Sequence, residues 1–206
     1  MKKRVQRRLY RQTARATATE ATGERILNSF LRRFQTQWFD EITLDVVAKD
    51  AGVTIQTVLR RFGAKEQLLQ ATAEHLRKAI HARRAVDSGD VLRSVDVLAA
   101  DYEAVGNLVW RVLAQEQRYP ALKALAELGR AEHRQWLSEV FRPWLNELAP
   151  KARAARLDAL FVATDLYVWK LVRRDLGRPV STFKSIVRDM VRAALPGAES
   201  AMKDAQ

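Results

Sequence analysis

The stretch ITLDVVAKDAGVTIQTVLRRFGAKE, residues 42–66, decides how this chain folds, and it is typical of two short helices joined by a tight turn. Thr43 is suited to cap the first helix, because its hydroxyl can accept a hydrogen bond from a backbone N–H of the first turn. Gly52 follows that helix where a left-handed backbone is needed, and glycine adopts this conformation without a steric penalty. The apolar residues between them recur at helical spacing and form one stripe: Leu44, Val47, Ala48 and Ala51.

A second helix start follows the glycine at once. Thr54 can cap this helix, and Val53 before it can pack against Val58 one turn later. Two capped helices around a glycine turn form a helix-turn-helix, whose second helix can enter the major groove of DNA.

The segment from about Glu24 to Leu69 resembles the TetR-type transcriptional regulators. The resemblance rests on the order and spacing of RIL at 25–27, FLRRF at 30–34, AGVT at 51–54 and RFGAKEQLL at 61–69. Two positions depart from the family pattern. Leu59 stands where these proteins usually carry a Tyr that touches phosphate, and Ala64 stands where a capping Ser, Asn or Asp is common.

Composition favours an all-α chain and excludes several classes of protein. Hydrophobic residues make up 48% of the 206 residues, and there are only 8 Gly and 5 Pro. The absence of Cys excludes disulfides and thiolate metal sites. No apolar run is long enough to span a membrane, and the basic N-terminus lacks the apolar segment of a signal peptide, so we expect a cytoplasmic protein that does not bind membranes.

The positive charge is concentrated at the N-terminus. Residues 1–19 carry seven Lys and Arg and no acid, which accounts for +7 of the net charge of +12. A basic arm before a helix-turn-helix suits contact with DNA phosphates or the minor groove. The alternative is a disordered tail that keeps the protein soluble.

Helical periodicity and breaks divide the chain into two predicted domains. Asp87-Ser88-Gly89-Asp90 is a polar break, so we expect a DNA-binding domain over residues 1–86 and a helical ligand-binding and dimerisation domain over 87–206. Thr22 is the expected cap of the first helix, and Pro143 is expected to kink or end its helix. The predicted helices outside the helix-turn-helix are 23–37, 65–86, 91–117, 120–148, 151–176 and 181–195.

Residues of the second short helix are candidates for reading DNA. Its first turn approaches base edges in this type of docking, where Gln56 can pair with adenine and Ile55 can touch a thymine methyl, beside Thr57. Arg60 lies one turn later and can reach guanine or phosphate. The alternative is that these polar residues form a solvated face. The residues better placed for phosphate contacts are Thr43, Thr54, Arg61 and Lys65.

The second domain is rich in aromatic residues, most of which are expected to be core. The resemblance implies a cavity for a small inducer. Asp165 interrupts the apolar run from Leu160 to Val168, and a buried carboxylate needs a partner, which can be a ligand or else Arg173 or Lys170. The candidate ligand-binding residues are Tyr102, Trp110, His133, Trp136 and Asp165.

The resemblance also implies that the last two helices pair with their copies as a four-helix bundle, giving a homodimer through about residues 151–195. A dimer matches a palindromic operator, which is double-stranded DNA with two-fold symmetry. By the same resemblance, an unknown small molecule would release the DNA by moving the two reading heads apart. The helical stripes that can cover this interface are Leu157, Leu160, Phe161, Thr164, Val168, Leu171 and Val172, with Phe183, Ile186, Val187, Met190 and Val191.

Enzyme motifs are absent from the sequence. There is no glycine-rich phosphate loop, no HExxH and no serine nucleophile elbow, and His75, His81 and His133 are not at metal-ligand spacing. We therefore expect no catalytic residue, no metal and no cofactor. The sequence predicts a DNA-binding transcriptional regulator. The alternative is a basic helical protein that binds membranes or acidic partners, a function that does not need Gly52 between two capped helices.

Overall fold

Every regular element of the described chain is helical. In this computed structural model the backbone is described for residues 2–195 and the side chains for residues 17–195. The elements are α1 (Lys2–Phe34), α2 (Leu44–Ala51), α3 (Ile55–Phe62), α4 (Lys65–Arg83), α5 (Val91–Gln115), α6 (Pro120–Val140), α7 (Arg142–Leu145), α8 (Pro150–Ala163), α9 (Leu166–Lys170), a π-helical turn (Leu171–Asp175) and α10 (Val180–Ala194). The all-α fold predicted from composition and periodicity is confirmed.

The chain forms two compact units, which we call unit 1 (residues 1–76) and unit 2 (residues 77–206). The division falls within α4, which ends at Arg83 and not at Val86 as periodicity suggested. The domain boundary proposed near residue 86 stays a prediction. Among the described residues, no helix is both long enough and apolar enough to cross a membrane.

The first helix is much longer than the sequence predicted. α1 begins at Lys2, so Thr22 does not cap a helix starting at Gly23. Its hydroxyl instead donates a hydrogen bond to the backbone oxygen of Ala18, within the same helix. The physical reason is that residues 2–22 hold no Gly or Pro and many good helix formers, so nothing stops the helix upstream of Gly23.

The core of unit 1 is an aromatic cluster on α1. Phe30 packs against Phe34 with ring centroids 5.8 Å apart, and Phe34 packs against Phe39 at 6.0 Å. Ile42 and Val47 are fully buried. This core holds α2 and α3 in place and leaves the outer face of α3 in solvent.

Unit 2 is built around α5 and the indole of Trp169 from α9. Trp169 is fully buried, and its ring lies so close to α5 that a Cβ at Gly106 would be 2.5 Å from it. The indole N–H donates to the carboxylate of Glu103, at 2.8 Å. Gly106 therefore leaves room for the indole.

The single helix predicted over residues 151–176 is wrong. α8 ends at Ala163, and Asp165 caps a new helix, α9, by accepting a hydrogen bond from the backbone N–H of Tyr167 at 2.8 Å. Thr and Asp side chains compete with the backbone for such bonds, which explains the break at this pair. The prediction for Pro143 is confirmed, since α6 ends at Val140 and the one-turn helix α7 carries this proline.

Candidate nucleic-acid interface and the polar cluster of unit 2

The turn between α2 and α3 has the geometry that the sequence predicted. The Thr43 hydroxyl accepts from the N–H of Val46, and the Thr54 hydroxyl accepts from the N–H of Thr57, each at 3.3 Å. Gly52 adopts the left-handed conformation, with φ of 66°. The caps and the glycine fix where each helix starts and stops, so they fix which face α3 presents.

The outer face of α3 is polar and accessible. Val58 is fully buried and anchors the helix, whereas Gln56 and Arg60 are exposed and Ile55 and Thr57 are half-buried. The exposed side chains can donate and accept hydrogen bonds and carry positive charge, as reading of base edges and phosphates requires. Leu59 is also 44% exposed, which leaves an apolar side chain on the flank of this face.

Arg61 lies against α1. A Cβ at Gly23 would overlap its guanidinium group, so the glycine allows this arginine to pack on the α1 backbone. Its cation also lies 5.7 Å from the ring centroid of Phe62. The predicted phosphate contact of Arg61 stays a prediction.

Lys65 is engaged within unit 1. Its ammonium donates to the backbone oxygens of Phe39 at 2.7 Å and Ile42 at 3.0 Å, and it lies 4.4 Å from the Phe39 ring centroid. Burial lowers the pKa of this lysine. Two of its three donors therefore hold the loop between α1 and α2, and the predicted phosphate contact of Lys65 stays a prediction.

Two arginines of α1 hold α2 in place, and neither contact was predicted from the sequence. Arg33 donates to both carboxylate oxygens of Asp50, at 2.6 and 3.0 Å, and this hydrogen-bonded pairing lowers the pKa of Asp50. Arg25 donates to the backbone oxygen of Ala51 at 3.2 Å. No local signal reveals these contacts, because 17 and 26 residues separate the partners.

A buried carboxylate organises the polar residues of unit 2. Asp101 is fully buried and accepts from Arg83 at 3.0 and 2.8 Å and from Arg84 at 2.8 Å. This site was not predicted from the sequence. The signal was present, because Asp101 lies on the apolar face of α5 between Leu98 and Tyr102.

His133 continues this network as a neutral ring. Arg84 has no acceptor, so it donates to Nδ1 of His133 at 3.1 Å, and Nε2–H must then donate to the Thr164 hydroxyl at 2.9 Å. That hydroxyl donates onward to the backbone oxygen of Leu160. Burial, together with the Arg84 cation, lowers the pKa of His133 to about 3.

Three of the five predicted ligand-binding residues meet in this network. The Tyr102 hydroxyl donates to the backbone oxygen of Thr164 at 2.9 Å, and burial raises its pKa. The Trp136 indole stacks on His133, with ring centroids 5.8 Å apart, and its N–H donates to the backbone oxygen of Arg84. All three side chains are thus bound by the protein itself.

The other two predicted residues have different surroundings. Trp110 contacts the edge of the Tyr167 ring and the ammonium of Lys170, at 5.7 and 4.6 Å between centres. Asp165 is a helix cap, and burial raises its pKa.

Neither basic partner suggested for Asp165 pairs with it. Arg173 donates to Glu103, and Lys170 donates to Asp175. The described part of the chain also contains no cluster of three or more His, Asp or Glu residues able to hold a metal ion.

A capped helix-turn-helix with an exposed polar second helix is typical of DNA-binding regulators. Comparison with known proteins agrees. Residues 26–72 match the family described as bacterial regulatory proteins, tetR family. Uncharacterized HTH-type transcriptional regulators from Mycobacterium bovis and Mycobacterium tuberculosis are 27% identical over 171 residues, which is 80% of this chain and 83% of theirs.

A solved structure shares the fold. It is a transcriptional regulator from Rhodococcus sp. Rha1, with a TM-score of 0.68 and 18% identity, and the match covers 85% of this chain and 96% of that one. Residues 26–72 are therefore similar to the DNA-binding domain of the tetR family, and the comparisons support a DNA-binding transcriptional regulator.

Proposed function

We propose that this protein is a repressor that binds a palindromic operator as a homodimer and leaves it when a small molecule binds unit 2. The main observation in support is that α3 exposes Gln56 and Arg60 to solvent. These residues lie near the starts of α2 and α3, each of which is capped by a threonine. In this assignment α3 reads bases in the major groove and the surrounding hydroxyl and guanidinium groups bind phosphate.

The cap geometry supports phosphate contacts by the two threonines. Each hydroxyl oxygen accepts from a backbone N–H, at Val46 and at Thr57, which leaves the hydroxyl hydrogen able to donate. The Thr54 hydroxyl also shares a hydrogen bond of 3.0 Å with the Thr57 hydroxyl, in which either oxygen can be the donor. A phosphate oxygen could therefore accept the hydrogen that one threonine hydroxyl now donates to the other. Both helix caps would stay in place.

The polar cluster of unit 2 supports a ligand site near His133. A ligand with a hydrogen-bonding group could exchange with Thr164 as the partner of His133 Nε2, while Trp136 and Tyr102 supply aromatic surface. Arg84, next to the last residue of α4, bonds both His133 and Asp101. A ligand that displaces this arginine would therefore act on the end of α4.

Uncovered apolar surface supports a dimer through residues 151–195. Val162, Tyr167, Leu171 and Leu176 are 49–62% exposed, and all four lie in or just after α8 and α9. Large exposed hydrophobic groups clustered in one segment are characteristic of a protein interface. Other residues of the predicted stripes cover the chain's own core instead, including Leu160, Val172, Phe183, Val187 and Val191.

Selection of bound duplexes from a random pool tests the proposed function. We expect a palindrome to be enriched, and binding of that duplex should weaken as salt rises. Gln56→Ala should lose about 1–3 kcal/mol at one base pair of each half-site and relax specificity there. Deletion of residues 2–15 should instead weaken all duplexes alike and flatten the salt dependence.

The two variants serve as controls for each other. A uniform loss with Gln56→Ala would show that Gln56 touches only the DNA backbone. Failure to enrich any sequence would contradict the proposed function. Binding to anionic lipid vesicles in its place would support the alternative of a basic membrane-binding protein.

A further inference from the structure

The guanidinium group of Arg84 lies in a site of unit 2 whose side chains all attract a cation. Its Nε donates to Asp101 at 2.8 Å, and its Nη1 donates to Nδ1 of His133 at 3.1 Å. Its Cζ lies over the rings of Tyr102 and Trp136, 5.3 and 5.7 Å from their centroids. A carboxylate, an unprotonated ring nitrogen and two aromatic faces each favour a planar cation. We call these four side chains the cation cage.

The cation cage does not depend on the Arg84 side chain for its shape. The Tyr102 hydroxyl donates to the backbone oxygen of Thr164, and Nε2 of His133 bonds to the Thr164 hydroxyl. The Trp136 indole stacks on His133 and donates to the backbone oxygen of Arg84, not to its side chain. Three of the four cage residues would therefore stay in place if the guanidinium group left, as in a preformed ligand site.

The fourth cage residue, Asp101, stays paired without Arg84. Arg83 donates two N–H groups to Oδ1 of this carboxylate, at 3.0 and 2.8 Å, whereas Arg84 uses Oδ2. Departure of Arg84 would free one carboxylate oxygen and one ring nitrogen, but it would not leave a buried charge without a counter-ion. The Arg84 side chain is 14% exposed, so it already reaches solvent. Another cation could therefore take its place.

The acceptors of the cage define the chemistry of that replacement. Arg84 donates from two nitrogens of one planar group, so a replacement needs two N–H donors in one plane together with a positive charge. Guanidinium and amidinium groups meet both requirements. A carboxylate would be repelled by Asp101 and could not donate to His133, and a quaternary ammonium group has no N–H.

We propose that the cation cage binds a small organic cation with a guanidinium or amidinium group, which displaces Arg84 and takes over its hydrogen bonds. The inference rests on the proposed function, because it names the class of small molecule that acts in unit 2. The exchange leaves the charge of the cage unchanged. Arg84 directly follows α4, so its displacement removes two of the side-chain bonds that hold the end of this helix to α5 and α6.

Benzamidine, an amidinium cation at neutral pH, is the probe, and benzamide is its uncharged counterpart of nearly the same shape. Calorimetric titration compares the wild type with Arg84→Ala, in which no internal cation has to be displaced. Benzamidine should bind Arg84→Ala about tenfold or more tightly than the wild type, because the competing side chain is gone. Benzamide should bind neither protein. Benzyltrimethylammonium, a cation without N–H, should bind Arg84→Ala more weakly than benzamidine does.

Arg134→Ala is the control for loss of one positive charge. Arg134 follows His133 on α6 and pairs with Asp158 at the surface. Its removal should change the affinity for benzamidine by less than about twofold, because a surface charge is screened by salt. Circular dichroism checks that the variants are folded. If Arg84→Ala does not fold, Arg84→Gln replaces it in the same comparison, since its uncharged amide can still donate to Asp101.

Four results would overturn the proposal. Equal affinity of Arg84→Ala and the wild type for benzamidine would show that Arg84 does not occupy the binding site. An equal gain in Arg134→Ala would show that net charge, not the cage, attracts the probe. Benzamide binding as tight as that of benzamidine would show that the site does not select a cation. Equal binding of benzyltrimethylammonium would show that N–H donors are not required.

These titrations contain no DNA, so they separate the cation cage from the proposed function. Binding of benzamidine as expected, with an unchanged affinity of the saturated wild type for its operator, would support the cage and contradict release of DNA through this site. Release of the operator by some other small molecule, with no binding of benzamidine to Arg84→Ala, would support the proposed function and overturn the cage.

Discussion

Asp101 is the residue on which the polar cluster of unit 2 depends. Its fully buried carboxylate receives three N–H groups from Arg83 and Arg84, whose side chains are 33% and 14% exposed. A buried charge without a partner is costly, so each member of this cluster needs the others. Arg84 also bonds His133, so the carboxylate fixes the position of that ring indirectly.

Asp101→Asn should destabilise unit 2 by about 2–4 kcal/mol, because it leaves two arginines facing a neutral group. Urea unfolding, monitored by tryptophan fluorescence, measures this change in the free energy of unfolding, since four of the five tryptophans lie in unit 2. The control is Asp158→Asn, which breaks a surface ion pair with Arg134 and should cost less than about 1 kcal/mol. Equal effects of the two variants would contradict the role given to Asp101.

His133 should make unit 2 less stable in mild acid. Its pKa is about 3 in the folded protein against 6.5 for a free histidine, so below pH 6.5 only the unfolded state takes up the proton. The contribution of His133 to the free energy of unfolding is fully present above pH 6.5. It falls by about 1.4 kcal/mol per pH unit as the pH drops toward 3.

The variant His133→Gln isolates this contribution. Between pH 6.5 and 5, the wild type should lose about 2 kcal/mol more of its unfolding free energy than the variant does. His81→Gln is the control for removal of a histidine from an exposed position, because the His81 side chain is 62% exposed. A His133→Gln variant with unchanged pH dependence would show that folding does not lower the pKa of this ring.

Among the elements, the contact between α5 and α9 depends on one glycine. Gly106→Ala should destabilise unit 2 by about 1–3 kcal/mol, because the added methyl group would overlap the buried Trp169 ring. Gly129→Ala is the matched control on α6, where nothing lies within 4 Å of the new Cβ, and it should stabilise by about 0.5–1 kcal/mol. Thermal unfolding of both variants shows whether each substitution raises or lowers the stability of the protein. A stabilised Gly106→Ala variant would contradict the packing of Trp169 against α5.

The helix-turn-helix could be predicted from sequence because its signals are local. Thr43, Gly52 and Thr54 each act on backbone groups within a few residues, so their order alone fixes the two helices and the turn. The true start of α1 could not be placed, because its first turns lack a capping signal. The break at Thr164 was missed for a related reason, since the apolar pattern continues through it while the Asp165 carboxylate caps a new helix.

Contacts between residues that lie far apart in sequence could not be predicted from the sequence. Asp165 and Asp101 give the same signal, a carboxylate in an apolar run, and only three-dimensional packing shows that the first caps a helix and the second is a buried ion-pair acceptor. For Lys65, nothing in the sequence indicated that its ammonium donates to the loop carbonyls of Phe39 and Ile42.

At the scale of the whole molecule, the proposed dimer depends on the exposed apolar side chains around α9. Leu171 is 52% exposed and Val162 is 62% exposed, whereas Val168 and Ile186 are partly buried against the core of their own chain. Charge at Val168 or Ile186 would therefore disturb folding as well as association. The exposed positions test the dimer more cleanly.

Leu171→Glu should convert a dimer into a folded monomer and weaken operator binding strongly, because one reading head loses the second half-site. Leu128→Glu is the control, since Leu128 is a similarly exposed leucine, 42% accessible, on α6 and outside residues 151–195. Sedimentation velocity at micromolar concentration gives the oligomeric state, and circular dichroism confirms the fold. A wild type that sediments as a monomer would contradict the proposed dimer. If Leu128→Glu dissociates the dimer while Leu171→Glu does not, then the interface does not lie at the exposed side chains of residues 162–176.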